Sequence, residues 1–127
     1  MNKEIFSKNA PKPLGPYSQA VLSQNLIFCS GQLGVNPKTN ILETGIILQT
    51  HRALENLKEI LLEENVSLEN IVRCDIFLTD LKNFAEVNKI YEEFFIYKVK
   101  PARQTVEVSA LPKNALIEIS CIAIKSM

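Results

Sequence analysis

The spacing of apolar and polar residues changes period several times along this chain, and each change marks an expected element. From about Ile46 to Glu64, the positions Ile46, Ile47, Thr50, Ala53, Leu54, Leu57, Ile60 and Leu61 recur at three- and four-residue steps. That spacing predicts a long amphipathic helix. His51, Arg52, Glu55, Lys58 and Glu59 fill its polar face, and Glu63-Glu64 reads as its end. A second stripe, Phe84, Val87, Tyr91 and Phe94, predicts a helix running to about Tyr97, with Asn83 and Glu86 spaced as a capping box at its start. Period-two runs predict strands over Tyr17 to Leu22, Leu26 to Leu33, Ile71 to Thr79, Arg103 to Val108 and Leu116 to Lys125. In the second run, Leu26, Phe28 and Ser30 are expected on one face and Ile27, Cys29 and Gly31 on the other. Residues 9–16, NAPKPLGP, carry three prolines and read as an irregular loop that delivers Tyr17, while NPKTN at 36–40 reads as a turn. Pro101 forbids continuation of the second helix and admits the strand that follows. The order ββ(β)αβαββ, without an internal repeat, predicts an α+β domain. It should hold a single sheet, partly parallel at the crossovers, with two helices packed on one face.

The chain has 127 residues and no composition break, so one domain over residues 1–127 is expected. Apolar residues make up 46% and charged residues 22%, a globular mixture. Fourteen basic and fourteen acidic residues cancel, with no basic stripe, which disfavours nucleic acid and favours a small neutral or anionic ligand. The N-terminal stretch has no apolar core of signal-peptide length, and no run of about eighteen apolar residues occurs, so no membrane span is expected and the location reads as cytoplasmic. Cys29, Cys74 and Cys121 sit in apolar runs and read as reduced core thiols. His51 is the only histidine, so no metal site is expected.

Four polar residues sit where packing alone would not put them: Ser30, Asn88, Arg103 and Glu118. Glu118 interrupts LIEISCIAI at 116–124, where a carboxylate needs a partner or solvent. An edge strand with Glu118 in water and an inward-facing site residue both fit that pattern. Arg103 alternates with Thr105 and Glu107, and again two readings are open. One is a solvated face with a weak Arg103–Glu107 pair; the other is a guanidinium set up to grip a small carboxylate. Asn88 borders the apolar stripe of its helix and needs a hydrogen-bond partner, by default a neighbouring backbone group. Ser30-Gly31 fits either a tight bend or a close approach to a ligand.

The blocks NAPKPLGPYSQA at 9–20, IFCSGQLGVNPKT at 27–39, LKNFAEVNKIYEEFF at 81–95 and KPARQTVEVSALPKNALIEISCIA at 100–123 together resemble the RidA family, reactive intermediate deaminase A, also called YjgF. The resemblance covers almost the whole chain in order. It implies a chorismate-mutase-like fold and a homotrimer whose sheets form an inner barrel, with ligand clefts between subunits. It also implies an activity: hydrolysis of 2-iminobutanoate or 2-iminopropanoate to the 2-oxo acid and ammonia, without cofactor or metal, protecting pyridoxal-phosphate enzymes from damage. By the same resemblance Arg103 holds the substrate carboxylate and Glu118 positions or activates water. Tyr17, Ser30, Gly31, Phe84, Asn88 and Thr105 line the cleft.

Hydrolysis of an imine needs orientation, one activated water and proton transfers, which these residue types can supply. The expectation is that Arg103 and Glu118 face one cleft and that the guanidinium keeps Glu118 ionised. The chain departs from the family's pattern at Thr105, where the best-known members have cysteine, and at Ser120, which replaces a second acid found in some. The 95–101 loop also looks about two residues shorter than in some relatives. A different class of function fits the same residues: a regulatory module that binds a small 2-oxo acid without turnover.

Overall fold

The computed structural model describes residues 1–126. Its six strands, β1 (Asn2–Ile5), β2 (Ala20–Ser23), β3 (Leu26–Leu33), β4 (Ile71–Leu78), β5 (Ala102–Glu107) and β6 (Ile117–Ile124), form one sheet in the order β1-β2-β3-β6-β4-β5. All pairs are antiparallel except β4 and β5, which run parallel across a helical crossover, as the alternation of periods predicts. The helices are α1 (Gly45–Leu62) and α2 (Phe84–Phe94). Both cover the same face, on which Ile27, Cys29, Cys74, Ile76, Leu78, Ile117, Ile119 and Cys121 join Leu54, Leu57, Ile60, Leu61, Val87 and Ile90 in one core. The three cysteines are free and buried there, Cys121 paired across strands with both Cys29 and Cys74.

Several boundaries differ from the sequence reading for identifiable reasons. The strand expected from Tyr17 starts only at Ala20, because residues 7–19 fold around the buried Gln19 side chain. Its amide oxygen accepts from Ser7 N–H, and its nitrogen donates to the carbonyls of Ser7 and Pro11. β1 has little period-two signal, with three of its four residues exposed. It is held by pairing with β2 and by the buried Ile5, and is tied further by Lys3 Nζ, which with Lys125 Nζ grips the Glu64 carboxylate at 2.9 and 2.8 Å. Glu64, just past α1, therefore clasps the edge strand β1 to the chain leaving the central strand β6. α2 stops at Phe94, short of Tyr97, because Phe95 turns to ψ 71° and buries its ring in the core. Asn83 makes no side-chain cap at α2; Asp80 caps the preceding short turn by accepting from Lys82 N–H.

Two polar side chains within α1 belong to the core. Asn56 donates to the carbonyls of Leu33 and Val35, and Gln49 donates to Glu43 O and accepts from Leu116 N–H. They fasten the ends of β3 and β6 to the helix, satisfying loop backbone that would otherwise be buried unpaired.

The opposite face of the sheet carries no helix. Phe28, Val106 and Ile124 are exposed on it, beside the half-buried Phe77 and Ile122. No helix among the described residues is long and apolar enough to cross a membrane.

Candidate functional site

β6 lies between β3 and β4, so Glu118 is not on an edge strand. Strand alternation turns Ile117, Ile119 and Cys121 to the helices and Glu118 and Ser120 to the open face. Its carboxylate lies against the backbone of Gly31. A Cβ built on Gly31 would stand 2.7 Å from Glu118 Cδ and 2.8 Å from Oε1. Gly31 thus faces Glu118, against the alternation expected for β3. The cause is a bulge: Cys29 pairs with Cys121 but Gln32 with Ile119, so β3 spends three residues where β6 spends two. The backbone at Gly31 is not left-handed, so glycine is required there by the carboxylate and not by the chain's conformation.

Ser30 sits on the bulge and ties it to the incoming loop. Its N–H donates to Gln19 O at 2.9 Å and its Oγ to Ser18 O at 2.7 Å. Tyr17, one residue further back, lies in an irregular turn with its hydroxyl accepting from Leu14 N–H. Tyr17 and Gly31 line one pocket with Pro13, Leu14 and Lys113, the last held in a left-handed conformation at φ 59°. Tyr17, Ser30, Gly31 and Glu118 therefore form one group. Burial pushes the Glu118 carboxyl above its ordinary range.

Arg103 lies elsewhere. On β5 it pairs with Cys74, which faces the helices, so Arg103 and Thr105 project on the helix side of the sheet edge. The face expected to be shared with Glu118 is not shared: within one chain the two residues are on opposite faces, and no guanidinium stands beside Glu118 to keep it ionised. Arg103 Cζ lies 4.8 Å from the Tyr91 ring centroid and 5.5 Å from that of Phe84. Phe84, Asn88 and Tyr91 fall at i, i+4 and i+7 of α2, one helix face, so Asn88 shares the face whose two rings meet the arginine. This second group is Arg103, Phe84, Asn88 and Thr105, with Tyr91 added.

The Arg103–Glu107 pair does not form. Glu107 Oε1 accepts instead from Leu81 N–H at 2.9 Å, capping the turn before α2. The ion pairs of the described residues are Lys3 and Lys125 with Glu64, Arg52 with Glu43, and Arg73 with Asp75, and the His51 ring lies 3.9 Å from the Glu93 carboxylate. Arg103 and Glu118 take part in none. The Thr105 hydroxyl is buried and without a hydrogen-bond partner among the described residues. The Tyr91 hydroxyl is likewise buried, and the neighbouring Cys74 thiol does not reach it in hydrogen-bonding geometry. Burial raises the Cys74 thiol to about 11, which leaves it protonated and unreactive.

Sequence reasoning missed Tyr91 as more than core, and Gln19 entirely. The signal for Tyr91 was its i+7 relation to Phe84 on the helix that precedes Arg103. Gln19 left no signal, because a buried amide folding its own loop looks like any loop glutamine.

The family model described as endoribonuclease L-PSP matches residues 7–125. A RutC family protein of Pyrococcus horikoshii is 47% identical over 126 residues, covering 98% of this chain and 99% of the relative. Among solved structures, a Rid-family protein of Yersinia pestis superposes with a TM-score of 0.95 at 44% identity, covering 98% and 99% of the two chains. E. coli TdcF, solved with bound serine, superposes with a TM-score of 0.94 at 36% identity, covering 98% and 99%.

Proposed function

The chain belongs to the endoribonuclease L-PSP family, the YjgF/RidA group, and from that premise we propose that it hydrolyses small 2-imino acids to 2-oxo acids and ammonia in a site completed by a second copy of itself. The observation that carries this reading is a pair of unpartnered charges on opposite sheet faces. Among the described residues the Arg103 guanidinium pairs with no carboxylate, and the Glu118 carboxylate with no cation. Leaving charges unpaired is unfavourable unless a ligand or partner supplies the counterpart. A neighbouring copy seated on the helix-free face would bring one chain's Arg103 group to another's Glu118 group. The exposed Phe28, Val106 and Ile124 on that face favour such a contact, and a closed homotrimer satisfies it. TdcF, a relative of this chain, holds serine, an α-amino acid with the carboxylate that a 2-imino acid also carries.

In this assembly Arg103 grips the substrate carboxylate through two parallel N–H donors, which fixes the imine carbon in place. Glu118 takes a proton from water as its oxygen bonds to that carbon, giving a tetrahedral carbinolamine. With the imine entering as its iminium, that carbinolamine is neutral; Glu118 returns the proton to the amino nitrogen and then accepts the hydroxyl proton as the C–N bond breaks, so that ammonia leaves, the carbonyl forms and the last proton goes to the departing ammonia. A carboxyl raised above its ordinary range suits both steps, since its carboxylate form is a stronger base toward water and its acid form is more populated than an exposed glutamate's when nitrogen needs the proton. Tyr17, Ser30 and Gly31 shape the water side; Phe84, Asn88 and Thr105 shape the carboxylate side.

The test couples a threonine dehydratase to the purified protein at low buffer nucleophile concentration and follows 2-oxobutanoate. Acceleration by the wild type, lost in Arg103→Ala with its assembly intact, is expected. If 2-oxobutanoate binds but neither protein accelerates its formation, the site senses a 2-oxo acid and the hydrolase reading is wrong.

A further inference from the structure

We propose that Tyr91 is a positioning residue of this site, holding the Arg103 guanidinium with Phe84 so that its hydrogen-bonding edge is presented to the ligand. The inference rests on the reading that Arg103 grips a carboxylate. An arginine on an edge strand has several rotatable bonds, and a bidentate grip requires the guanidinium plane to be set before the ligand arrives. Two aromatic faces do this, at 4.8 Å from Tyr91 and 5.5 Å from Phe84. The central Cζ, which carries no N–H, is the atom that stands over the rings, and no described side chain takes up the five N–H donors in an ion pair, so they remain for an anion.

The Tyr91 ring is itself fixed. It is buried and stacks on Phe95 at 4.3 Å with 29° between planes, and Phe95 is 1% exposed in the core. The position of the guanidinium is thus referred to the packed interior through two rings. Glu107, the acid that shares the strand face of Arg103, is drawn off to Leu81 N–H and does not compete for the donors. The Tyr91 hydroxyl has no partner, so the ring and not the hydroxyl serves this role.

The test uses the full-length protein with Tyr91→Leu, Tyr91→Phe and Phe84→Leu. Phe84 is 40% exposed, so its variant does not threaten folding if Tyr91→Leu does. Three quantities are measured: the Kd for 2-oxobutanoate by calorimetry, KM and kcat for imine hydrolysis, and the Arg103 Nε–H proton resonance, which the ring faces shift upfield. Both leucine variants are expected to raise Kd and KM about tenfold, with a much smaller change in kcat, and to move the Nε–H resonance downfield. Tyr91→Phe is expected to recover most of the affinity lost in Tyr91→Leu and to melt no lower than the wild type. Wild-type binding that Phe84→Leu and Tyr91→Leu leave unchanged, or a Nε–H resonance insensitive to both, overturns the positioning role alone. Absence of 2-oxobutanoate binding and turnover in the wild type overturns the carboxylate grip, and the inference with it.

Discussion

Replacing Gly31 by alanine isolates what the bulge in β3 is for. The new Cβ would lie 2.7 Å from Glu118 Cδ, whereas ordinary contact begins at 3.4 Å, so the carboxylate must retreat by at least 3.4 − 2.7 = 0.7 Å. The backbone itself admits alanine, since Gly31 is not left-handed. Removing glycine's freedom in the unfolded chain stabilises by about 0.4–1 kcal/mol, and forcing Glu118 off its rotamer costs about 0.5–1.5 kcal/mol. These terms nearly cancel, so the melting temperature should stay within a few degrees of the wild type. Catalysis should not survive as well, because a misplacement approaching 1 Å in the group that activates water costs about a hundredfold in rate. The assay is kcat in the dehydratase-coupled reaction, with Gly31→Ala, Glu118→Gln and the double variant measured side by side. If glycine acts through the carboxylate, the double variant is no slower than Glu118→Gln alone. A Gly31→Ala protein with wild-type kcat, or a double variant whose losses simply add, would refute the reasoning.

Glu118 should also reveal itself in pH dependence. Its folded-state pKa is raised by burial, so its ionisation destabilises the fold: stability falls as pH rises from the unfolded pKa through the folded one, and Glu118→Gln should resist urea better than the wild type at neutral pH. In the assembled site a partner's Arg103 opposes that rise, so Arg103→Ala should move the acid limb of the residual kcat/KM upward; an acid limb that stays in place would contradict a shared site. Glu64 behaves oppositely. Its hydrogen bonds to Lys125 and Lys3 hold its carboxyl below the usual range, so its stabilisation is present at neutral pH and lost as pH falls through the folded pKa. Both lysine partners are themselves exposed to solvent, so Glu64→Gln should cost only about 1–2 kcal/mol in urea unfolding, and less at high salt.

The elements with strong periodicity were legible in the sequence, and those held by side-chain clasps were not. α1, β4 and β6 bury one regular stripe or face each, and period alone finds them. β1 and the loop before β2 depend on Lys3, Glu64 and Gln19 contacts between residues distant in the chain, which leave no periodic trace. The odd polar residues Arg103 and Glu118 were visible as misfits, but their relation was not. Placing them on opposite faces requires knowing that β5 joins the sheet parallel, in register with Cys74 and Ile76, and that β6 lies at the centre. Gly31 was assigned the wrong face because one extra bulge residue inverts the alternation beyond it.

The central claim is that one chain's Arg103 works with another chain's Glu118. Mixing two variants, each strongly impaired in one half of the site, tests it most directly: Arg103→Ala and Glu118→Gln are unfolded together, refolded at equal ratio and assayed against each alone. In a closed ring of three, a site is intact when an intact arginine and an intact glutamate meet at one interface, so about a quarter of the wild-type activity should return. A mixture that co-assembles yet remains as inactive as its components would contradict the shared site.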